Sequence, residues 1–357
     1  MMKIGIIGLP QAGKKNLFQV LTGNEVQERS GSPKALPGSA DIQDPRFDKL
    51  VAMYQPAKQA RARIDLMLLP KMEKENIAKG DIFNDIADVD GLCHVVRAFE
   101  DDAIYHPEGS VDPMRDVEMV YSELIMHDQI FVEKRIERLE KSIKKIKDEK
   151  QEKELTLMKR FQEHLENELP VRLLALSEEE QGLILSYPFI TKKELIIAFN
   201  VSEDMLGDET LLRTAAPFCE KQKVEAMLVC AQVESEIALL DSEEEKQEFL
   251  EDLGIKTPAL GIMAGLCLKA LGLVSFFTVG TDEVKQWLVK MNSPAPVAAG
   301  VIHSDLQRGF IRAEQMSYDE LIEHGSEAEL QKAGKTYLQG KEYIVVDGDI
   351  LNIRFKV

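Results

Sequence analysis

The chain opens with a short apolar run, a glycine-rich loop and a segment that reads as a helix. Residues 3–8 (KIGIIG) suit a buried parallel strand, residues 8–14 read GLPQAGK, and a helix is expected over residues 14–22. In this arrangement, glycines allow backbone N–H groups to face a phosphate, and the helix N-terminus adds a favourable dipole. Lys14 would reach the β- and γ-phosphates of a nucleotide. The segment therefore predicts a phosphate-binding P-loop directly after a first strand.

Four further apolar runs resemble the first strand, and helical stretches separate several of them. These runs lie at residues 62–69, 91–99, 195–200 and 226–231. Alternation of strand and helix is typical of a doubly wound, mainly parallel sheet. We therefore predict an α/β fold with a P-loop nucleotide-binding domain formed by residues 1–127 and 186–274.

The residues between these two parts show a different pattern, in which charged residues surround a narrow apolar seam. The apolar positions recur at helical spacing at Ile136, Leu139, Ile143 and Ile146, and then at Leu157, Phe161 and Leu165. Pro170 stands where the second helix should end. The pattern predicts an inserted α-helical coiled-coil hairpin over residues 128–185.

The chain beyond residue 275 is rich in short β-like runs, which predicts a separate domain over residues 275–357. A helix is expected around residues 283–291, and the Asp-Gly pair at 347–348 is typical of a β-hairpin turn. The long apolar stretch at 258–279 is interrupted by Lys269 and reads as a buried helix followed by a strand rather than a membrane span. Residues 29–40 are expected to form a mobile loop.

The amino-acid composition argues against several functional classes. Acidic residues outnumber basic ones by 62 to 44, and the formal net charge of −18 argues against a protein that wraps duplex DNA with its whole surface. The 4 cysteines form no C-x-x-C pair and the 6 histidines no H-E-x-x-H arrangement, so neither a structural metal nor a disulfide framework is expected. The apolar N-terminal run is too short for a signal peptide. We expect a cytoplasmic protein that does not enter a membrane.

The residue after Lys14 departs from the usual P-loop pattern. A P-loop carries Ser or Thr here, whose hydroxyl ligates Mg²⁺, whereas this chain has Lys15. An ammonium group close to a divalent cation would repel it, which puts Mg²⁺ binding in doubt. Alternatively, the Lys15 charge partly neutralises phosphate, or the side chain simply points to solvent.

The chain resembles the YchF group of Obg-like P-loop NTPases over most of its length. The P-loop segment IIGLPQAGKKNLFQVLT, the middle segments GLCHVVRAFEDDAIYH and VDPMRDVEMVYSELIMHD, and the helical EKRIERLEK resemble segments of that family. So do FNVSED, VCAQVESEIALLDSEEE, FFTVGTDEVKQW, AAGVIHSDLQRGFIRAE and AGKTYLQGKEYIVVDGDILNIRFKV. The resemblance implies that the C-terminal domain is a TGS domain, a ubiquitin-like β-grasp module, and that the ligand is ATP or GTP.

Carried over residue by residue, the resemblance implies a nucleotide site made from three segments. Its residues are Gly8, Pro10, Gln11, Ala12, Gly13, Lys14, Lys15, Asn16, Asn200, Val201, Glu203, Cys230, Ala231 and Gln232. Glu203 stands where guanine-specific GTPases have Asp, and Val201 stands where they have Lys. ATP is therefore expected to bind at least as well as GTP, although Asn200 and Glu203 could instead be a solvated strand end.

The residues that should serve the metal and the switches depart further from the family pattern. Asp65 falls where the family has an aspartate that contacts Mg²⁺ through water, but the glycine expected three residues later is Leu68. Leu69 matches the apolar residue that this group carries in place of the usual glutamine. The glycine-rich switch is replaced by PKMEKENIAKGDIFND, and no threonine ligand aligns around Ser32. Phosphoryl transfer depends on such positioned groups, so hydrolysis is expected to be weak or absent.

Two histidines are considered for proton transfer. His94 lies inside an apolar run and is expected to be structural. His106 lies in a loop near the expected pocket, but the sequence shows no partner for it, so it is a candidate only. The catalytic residues are otherwise unassigned.

A basic run follows in the predicted hairpin. Residues 134–150 contain eight basic and four acidic residues, and Lys141, Lys144 and Lys145 are candidate RNA contacts. A solvated helix face is the plainer explanation of such a run. The association of the family with ribosomes favours a ribosomal or RNA partner.

Together these features predict a YchF-like protein that binds ATP or GTP and acts as a ribosome- or RNA-associated regulatory factor with weak or absent hydrolysis. One alternative is a pseudo-NTPase scaffold that binds RNA or ribosomes without nucleotide. The other is an active Obg-like ATPase. The sequence does not indicate an oligomeric state.

Overall fold

The chain divides into two compact units that do not follow the order of the sequence. The computed structural model describes residues 3–24, 26, 35–73, 77, 80–146, 148–240, 242–255 and 257–356. The first unit comprises Met1–Ser39 and Asp65–Ala259, and the second comprises Ala40–Ile64 and Leu260–Val357.

The first unit contains a six-stranded sheet and most of the long helices. Its strands are β1 Lys3–Ile7, β2 Leu36–Asp41, β4 Arg63–Leu68, β5 Gly91–Arg97, β6 Glu194–Asn200 and β7 Glu225–Val229, in the order β2-β4-β1-β5-β6-β7. Its helices are α1 Lys14–Thr22, α3 Asp81–Ala87, α4 Pro113–Ile143, α5 Glu149–Glu166, α6 Glu178–Leu183, α7 Thr210–Gln222, α8 Ala231–Ala238 and α9 Glu243–Asp252.

The five apolar runs are confirmed as strands β1, β4, β5, β6 and β7. β1 lies between β4 and β5, and β6 and β7 follow, all in parallel register. Every residue of β5 is buried, because a central parallel strand has both faces covered. The carboxyl ends of these strands therefore meet at one edge, where the glycine-rich loop follows β1.

The predicted hairpin is confirmed, but it begins earlier than expected. α4 has 31 residues and starts at Pro113, where the Asp112 side chain accepts a hydrogen bond from the backbone N–H of Arg115. The apolar seam is buried on both helices as far as Leu139, whereas Ile143 is half-buried and Ile146 is 74% exposed. The seam therefore ends before Ile146, which lies beyond the last residue of α4.

One buried carboxylate fixes the base of this hairpin. Asp128, on α4, is 0% exposed and accepts hydrogen bonds from the backbone N–H groups of Ile190 (2.9 Å) and Thr191 (2.7 Å). The Thr191 hydroxyl donates a third, at 2.7 Å. Three donors compensate for the loss of water around the charge and tie α4 to the segment that precedes β6.

The second unit contains a mixed sheet of order β11-β10-β12-β8-β9-β3. Its strands are β3 Lys58–Ala60, β8 Leu273–Thr278, β9 Glu283–Lys290, β10 Phe310–Ser317, β11 Tyr337–Gln339 and β12 Asp349–Phe355. Its helices are α2 Pro45–Tyr54, α10 Ala259–Ala270, α11 Ala295–Ile302, α12 Ser304–Arg308, α13 Tyr318–His324 and α14 Glu327–Lys332. The succession of α10 and β8 confirms the expected helix followed by a strand. No helix in the described ranges combines the length and the apolar composition that a membrane span requires.

Two local predictions for this unit are wrong. The helix expected around 283–291 is strand β9, which pairs antiparallel with β8 over six residue pairs. This pairing outweighs the helix preference of its Lys, Gln and Leu residues. The Asp347–Gly348 pair does not join two paired strands, because β12 pairs with β10 and β8. Asp347 instead accepts hydrogen bonds from Arg46 (2.6 Å) and from the backbone N–H of Ser275 (2.9 Å).

The segment Ala40–Ile64 belongs to the second unit, although the sequence places it in the P-loop domain. Phe47 and Leu50 of α2 form one buried cluster with Phe277 and Val284, and β3 adds to the sheet edge beside β9. This apolar packing decides the boundary. The expected loop at 29–40 is also corrected in part, because β2 begins at Leu36, while residues 29–34 lie outside the described ranges.

Replacement of Asp128 by Ala should lower the free energy of unfolding by about 3–5 kcal/mol, because it leaves buried donors without an acceptor. Urea denaturation measures the loss. Glu137→Ala is the control on the same helix, since Glu137 is exposed and only forms a 3.6 Å surface pair with Lys141. Its expected effect is below about 0.5 kcal/mol. Equal losses in the two variants would contradict the anchoring role.

Candidate functional site

The glycine-rich loop approaches neighbouring strands too closely to carry side chains at its two glycines. A Cβ at Gly8 would lie 2.3 Å from the carbonyl oxygen of Val95 on β5, and the φ of Gly8 is +148°. A Cβ at Gly13 would lie 2.1 Å from Nδ2 of Asn200, and the φ of Gly13 is +90°. Both positions therefore require glycine, for conformation as well as for space.

Asn200 connects the loop with the two other segments of the expected site. Its Nδ2 donates to the carbonyl of Ala12 at 3.2 Å, and its Oδ1 accepts from the backbone N–H of Ala231 at 3.1 Å. Asn200 ends β6, and Ala231 begins α8. One amide thus holds three loops together at the carboxyl edge of the sheet.

The other expected nucleotide-site residues lie around this junction in different environments. Val201 and Cys230 are buried, whereas Glu203 is exposed in a short 3-10 turn. Gln232 bonds along its own helix to Glu236, at 3.2 Å. On the loop side, Pro10 and Lys15 are half-buried, and Gln11 and Asn16 are exposed.

Lys14 is folded back onto the loop. Its side chain is almost fully buried, and its ammonium donates to the carbonyls of Gly8 (2.8 Å) and Pro70 (3.1 Å). Burial, and then the charges of Lys71 and Lys15 against the opposing charge of Glu73, lower the pKa of Lys14 from 10.5 to about 7. The structure thus holds an amine whose protonated form an incoming anion would favour.

The segment after β4 is hydrogen-bonded to the loop on both sides of Lys71. Besides the Lys14 contact to Pro70, the backbone N–H of Met72 donates to the carbonyl of Gly8 at 3.1 Å, and Met72 is 1% exposed. Lys71 itself is exposed at this rim. The sequence pattern does not single out Lys71, because the spacing of D-x-x-G is counted from Asp65.

The structure places Asp65 away from the loop at which it was expected to serve a metal. Asp65 pairs with Lys3 at the start of β1, whereas Leu68 pairs with Ile6 near its end. Five residues of strand place Asp65 about 16 Å from the level of Gly8. β4 itself ends at Leu68, and Lys71 follows three residues later, beside the loop.

The residues present do not fit a Mg²⁺ ion at the loop. Mg²⁺ requires oxygen ligands, such as a P-loop hydroxyl and a nearby carboxylate. Lys15 at the hydroxyl position supplies no oxygen, and no residue of β4 beyond Asp65 carries a carboxylate. Across the ranges that the structure describes, no group of three or more His, Cys, Asp or Glu side chains could hold a metal ion. The first switch, around Ser32, lies outside those ranges.

His106 has a partner that the sequence analysis did not identify. His106 is buried, its Nε2 lies 2.9 Å from Oδ2 of Asp116, and its Nδ1 accepts from the backbone N–H of Glu108 at 3.2 Å. This geometry assigns the proton to Nε2, which donates to the carboxylate. Together with Leu9, Pro10, Ala12 and His94, the pair lines a small recess beside the loop.

His94 lies deeper in the same recess. Its Nε2 is buried and has no hydrogen-bond partner among the described residues. Burial, with a smaller contribution from Lys14, lowers the pKa of His94 to about 3, so the imidazole is neutral. Neutral burial inside β5 agrees with a structural residue.

The basic run lies at the far end of α4. Lys134, Arg138 and Lys141 are exposed at spacings of four and three, which places them on one helix face. Lys144 and Lys145 follow at the helix end and are also exposed. Lys147 lies outside the described residues. The candidate contacts are thus accessible.

Gly13→Ala should lower the free energy of unfolding by about 2–5 kcal/mol, because it combines left-handed backbone strain with a collision against Asn200. The matched control is Gly23→Ala: Gly23 has a φ of +68°, and a Cβ there would meet nothing within 4 Å. Strain alone should cost the control about 1 kcal/mol. Denaturation of both variants measures the difference, and equal costs would contradict the contact between Gly13 and Asn200.

The sequence and the fold match one family throughout. A family model, YchF-GTPase_C, described as "Protein of unknown function (DUF933)", matches residues 273–356. The "Ribosome-binding ATPase YchF" of Bacillus subtilis is 38% identical over 99% of each chain. The "Obg-like ATPase 1" of Caenorhabditis elegans is 36% identical over 99% of this chain and 92% of its own.

The architecture leads to the same result. The solved structure of the Schizosaccharomyces pombe YchF GTPase superposes with a TM-score of 0.83 at 28% identity, over 99% of this chain and 97% of that one. Similarity of this extent includes the P-loop unit, the helical hairpin and the C-terminal part. The chain belongs to the YchF family.

Proposed function

We propose that this protein is a purine-nucleotide-binding factor that acts on the ribosome with weak or absent hydrolysis. The observation that carries the proposal is the junction at Asn200, which links the P-loop carbonyl of Ala12 to the start of α8. That junction positions a loop for phosphate and a second loop for the base. The metal-ligating hydroxyl is replaced by Lys15, and β4 carries no carboxylate after Asp65, so we expect binding to be retained and catalysis to be weakened.

The base-facing segment favours ATP at least as much as GTP. Guanine-specific sites use the short carboxylate of Asp to accept two hydrogen bonds from the base. Glu203 is longer and lies exposed in a 3-10 turn, and Val201 is buried and offers no polar contact. A strong preference for guanine is therefore not expected.

The helical hairpin and the C-terminal part provide the surfaces for a ribosomal partner. Curated relatives carry the name "Ribosome-binding ATPase YchF". In this chain, the exposed stripe of Lys134, Arg138 and Lys141 offers ammonium and guanidinium groups to RNA phosphates. We further propose that residues 275–357 form a TGS domain of the β-grasp type, and that the protein works in the cytoplasm with the ribosomes.

A second candidate function is active ATP hydrolysis. The buried pair of His106 and Asp116 beside the loop favours it, because an oriented imidazole could position a water or move a proton. Turnover that His106→Ala abolishes while nucleotide binding persists would favour this candidate over the proposal.

Titration calorimetry with ATP and GTP tests the nucleotide site. Both should bind, and Lys14→Ala should weaken binding at least tenfold, because it removes a charged donor to phosphate. Absence of heat with every nucleotide would contradict the proposal and favour a scaffold without nucleotide.

The same titration should depend on pH because the pKa of Lys14 is about 7. A bound phosphate requires the protonated amine, so above pH 7 binding must take up a proton, and the affinity should fall by up to about tenfold per pH unit between 7.5 and 9. The charges of Lys71, Glu73 and Lys15 shift the pKa of Lys14. His94 stays neutral in this pH range. Titrations in two buffers of different ionisation enthalpy measure the proton uptake. An affinity independent of pH, with no proton uptake, would contradict the linkage between phosphate binding and Lys14 protonation.

Ribosome binding should depend on the basic hairpin. Lys144→Ala with Lys145→Ala should reduce co-sedimentation with ribosomes several-fold at moderate salt and make it less salt-dependent. The control is Lys192→Ala with Lys221→Ala, which removes the same charge from exposed positions elsewhere in the first unit. If both double variants bind like the unaltered protein, the hairpin is not the RNA contact.

A further inference from the structure

The loop lacks the ligands of a divalent cation and has gained positive charge in their place. Lys15 stands at the hydroxyl position of the P-loop, and β4 ends at Leu68 with no carboxylate after Asp65. Relative to the usual residues, one cation has been added and one anion removed. This change would repel Mg²⁺ and attract bare phosphate.

The third altered position is Lys71. Backbone contacts from its two neighbours fix it at the loop, since Pro70 accepts from the Lys14 ammonium and Met72 donates to the carbonyl of Gly8. Met72 is buried in the core cluster together with Leu9. The Lys71 side chain therefore starts from an anchored position and is exposed at the rim.

Two lysines bring positive charge to the place where a metal ion would supply it. Lys15 and Lys71 together carry two positive charges, the charge of one Mg²⁺ ion, and Lys14 is present in either arrangement. Glu73 is exposed like Lys71 and opposes them, and its effect on Lys14 lies between those of Lys71 and Lys15, so it offsets part of their charge. Lysine is a suitable phosphate ligand here because its ammonium acts as a compact charge that several phosphate oxygens can share.

We propose that this protein binds the triphosphate of a nucleotide without a divalent cation, and that Lys15 and Lys71 take the place of Mg²⁺. The inference rests on the proposed nucleotide site and specifies its ligand as the metal-free nucleoside triphosphate. Lys71 lies exposed at the rim of the loop, on the segment after β4, and we assign it to the third phosphate. It should therefore distinguish triphosphate from diphosphate, whereas Lys15, in the first turn of α1, should serve both.

Calorimetric titration of the full chain with ATP and ADP, in EDTA and in Mg²⁺ at matched ionic strength, tests the inference. ATP in EDTA should bind at least as tightly as ATP in Mg²⁺. Binding that is more than about tenfold tighter with Mg²⁺ would overturn the inference and leave the nucleotide site in place. Absence of binding in both media would overturn the proposed function as well.

Variants separate the two lysines. Lys71→Ala should weaken ATP about tenfold or more in EDTA and affect ADP much less, since a charged contact to the third phosphate is lost. Lys15→Ser should weaken both nucleotides in EDTA and recover part of the affinity when Mg²⁺ is added. Lys192→Ala is the control, because Lys192 is exposed and precedes β6, at the opposite edge of the sheet. Unchanged ATP affinity in Lys71→Ala would overturn the role of Lys71.

Discussion

The contact of the Lys14 ammonium with the carbonyls of Gly8 and Pro70 connects the parts of the first unit that matter for its chemistry. It holds the segment after β4 against the loop after β1, and it keeps a cation where few water molecules reach it. The buried, protonated amine of Lys14 is unfavourable in the free protein, and an anion that binds beside it would stabilise this form. Binding of a phosphate would therefore relieve the unfavourable burial of charge that the loop bears without a ligand.

In the function that we propose, the chain keeps the residues around this contact that would recognise a nucleotide and changes those that would hydrolyse it. Gly8, Gly13 and Asn200 have the spacing and the contacts that a phosphate loop requires. Lys15 replaces the hydroxyl that would ligate a metal, and Lys71 adds a second cation beside the loop. A protein that binds a nucleotide firmly and turns it over slowly suits a role in which the bound state matters more than the reaction.

The sequence predicts the sheet and the loop well because both depend on local patterns. Apolar runs of strand length and a glycine motif need no distant partner to be recognised. The position of Asp65 could not be predicted in this way, because a run from 62 to 69 does not reveal which residue lies level with the loop. The hydrogen-bond register with β1 decides that, and a shift of three residues moves a carboxylate about 10 Å. The same limit applies to the Ala40–Ile64 segment and to β9, whose states depend on partners far away in the chain.

If lysines replace the divalent cation at the phosphate site, the bound state should show it. A crystal structure of the chain with a non-hydrolysable ATP analogue, grown in the presence of Mg²⁺, tests it most directly. That structure should show the ammonium groups of Lys15 and Lys71 within about 3 Å of phosphate oxygens, and no metal between the β- and γ-phosphates. An octahedral Mg²⁺ ion bound to those oxygens, with both lysines turned away, would contradict it.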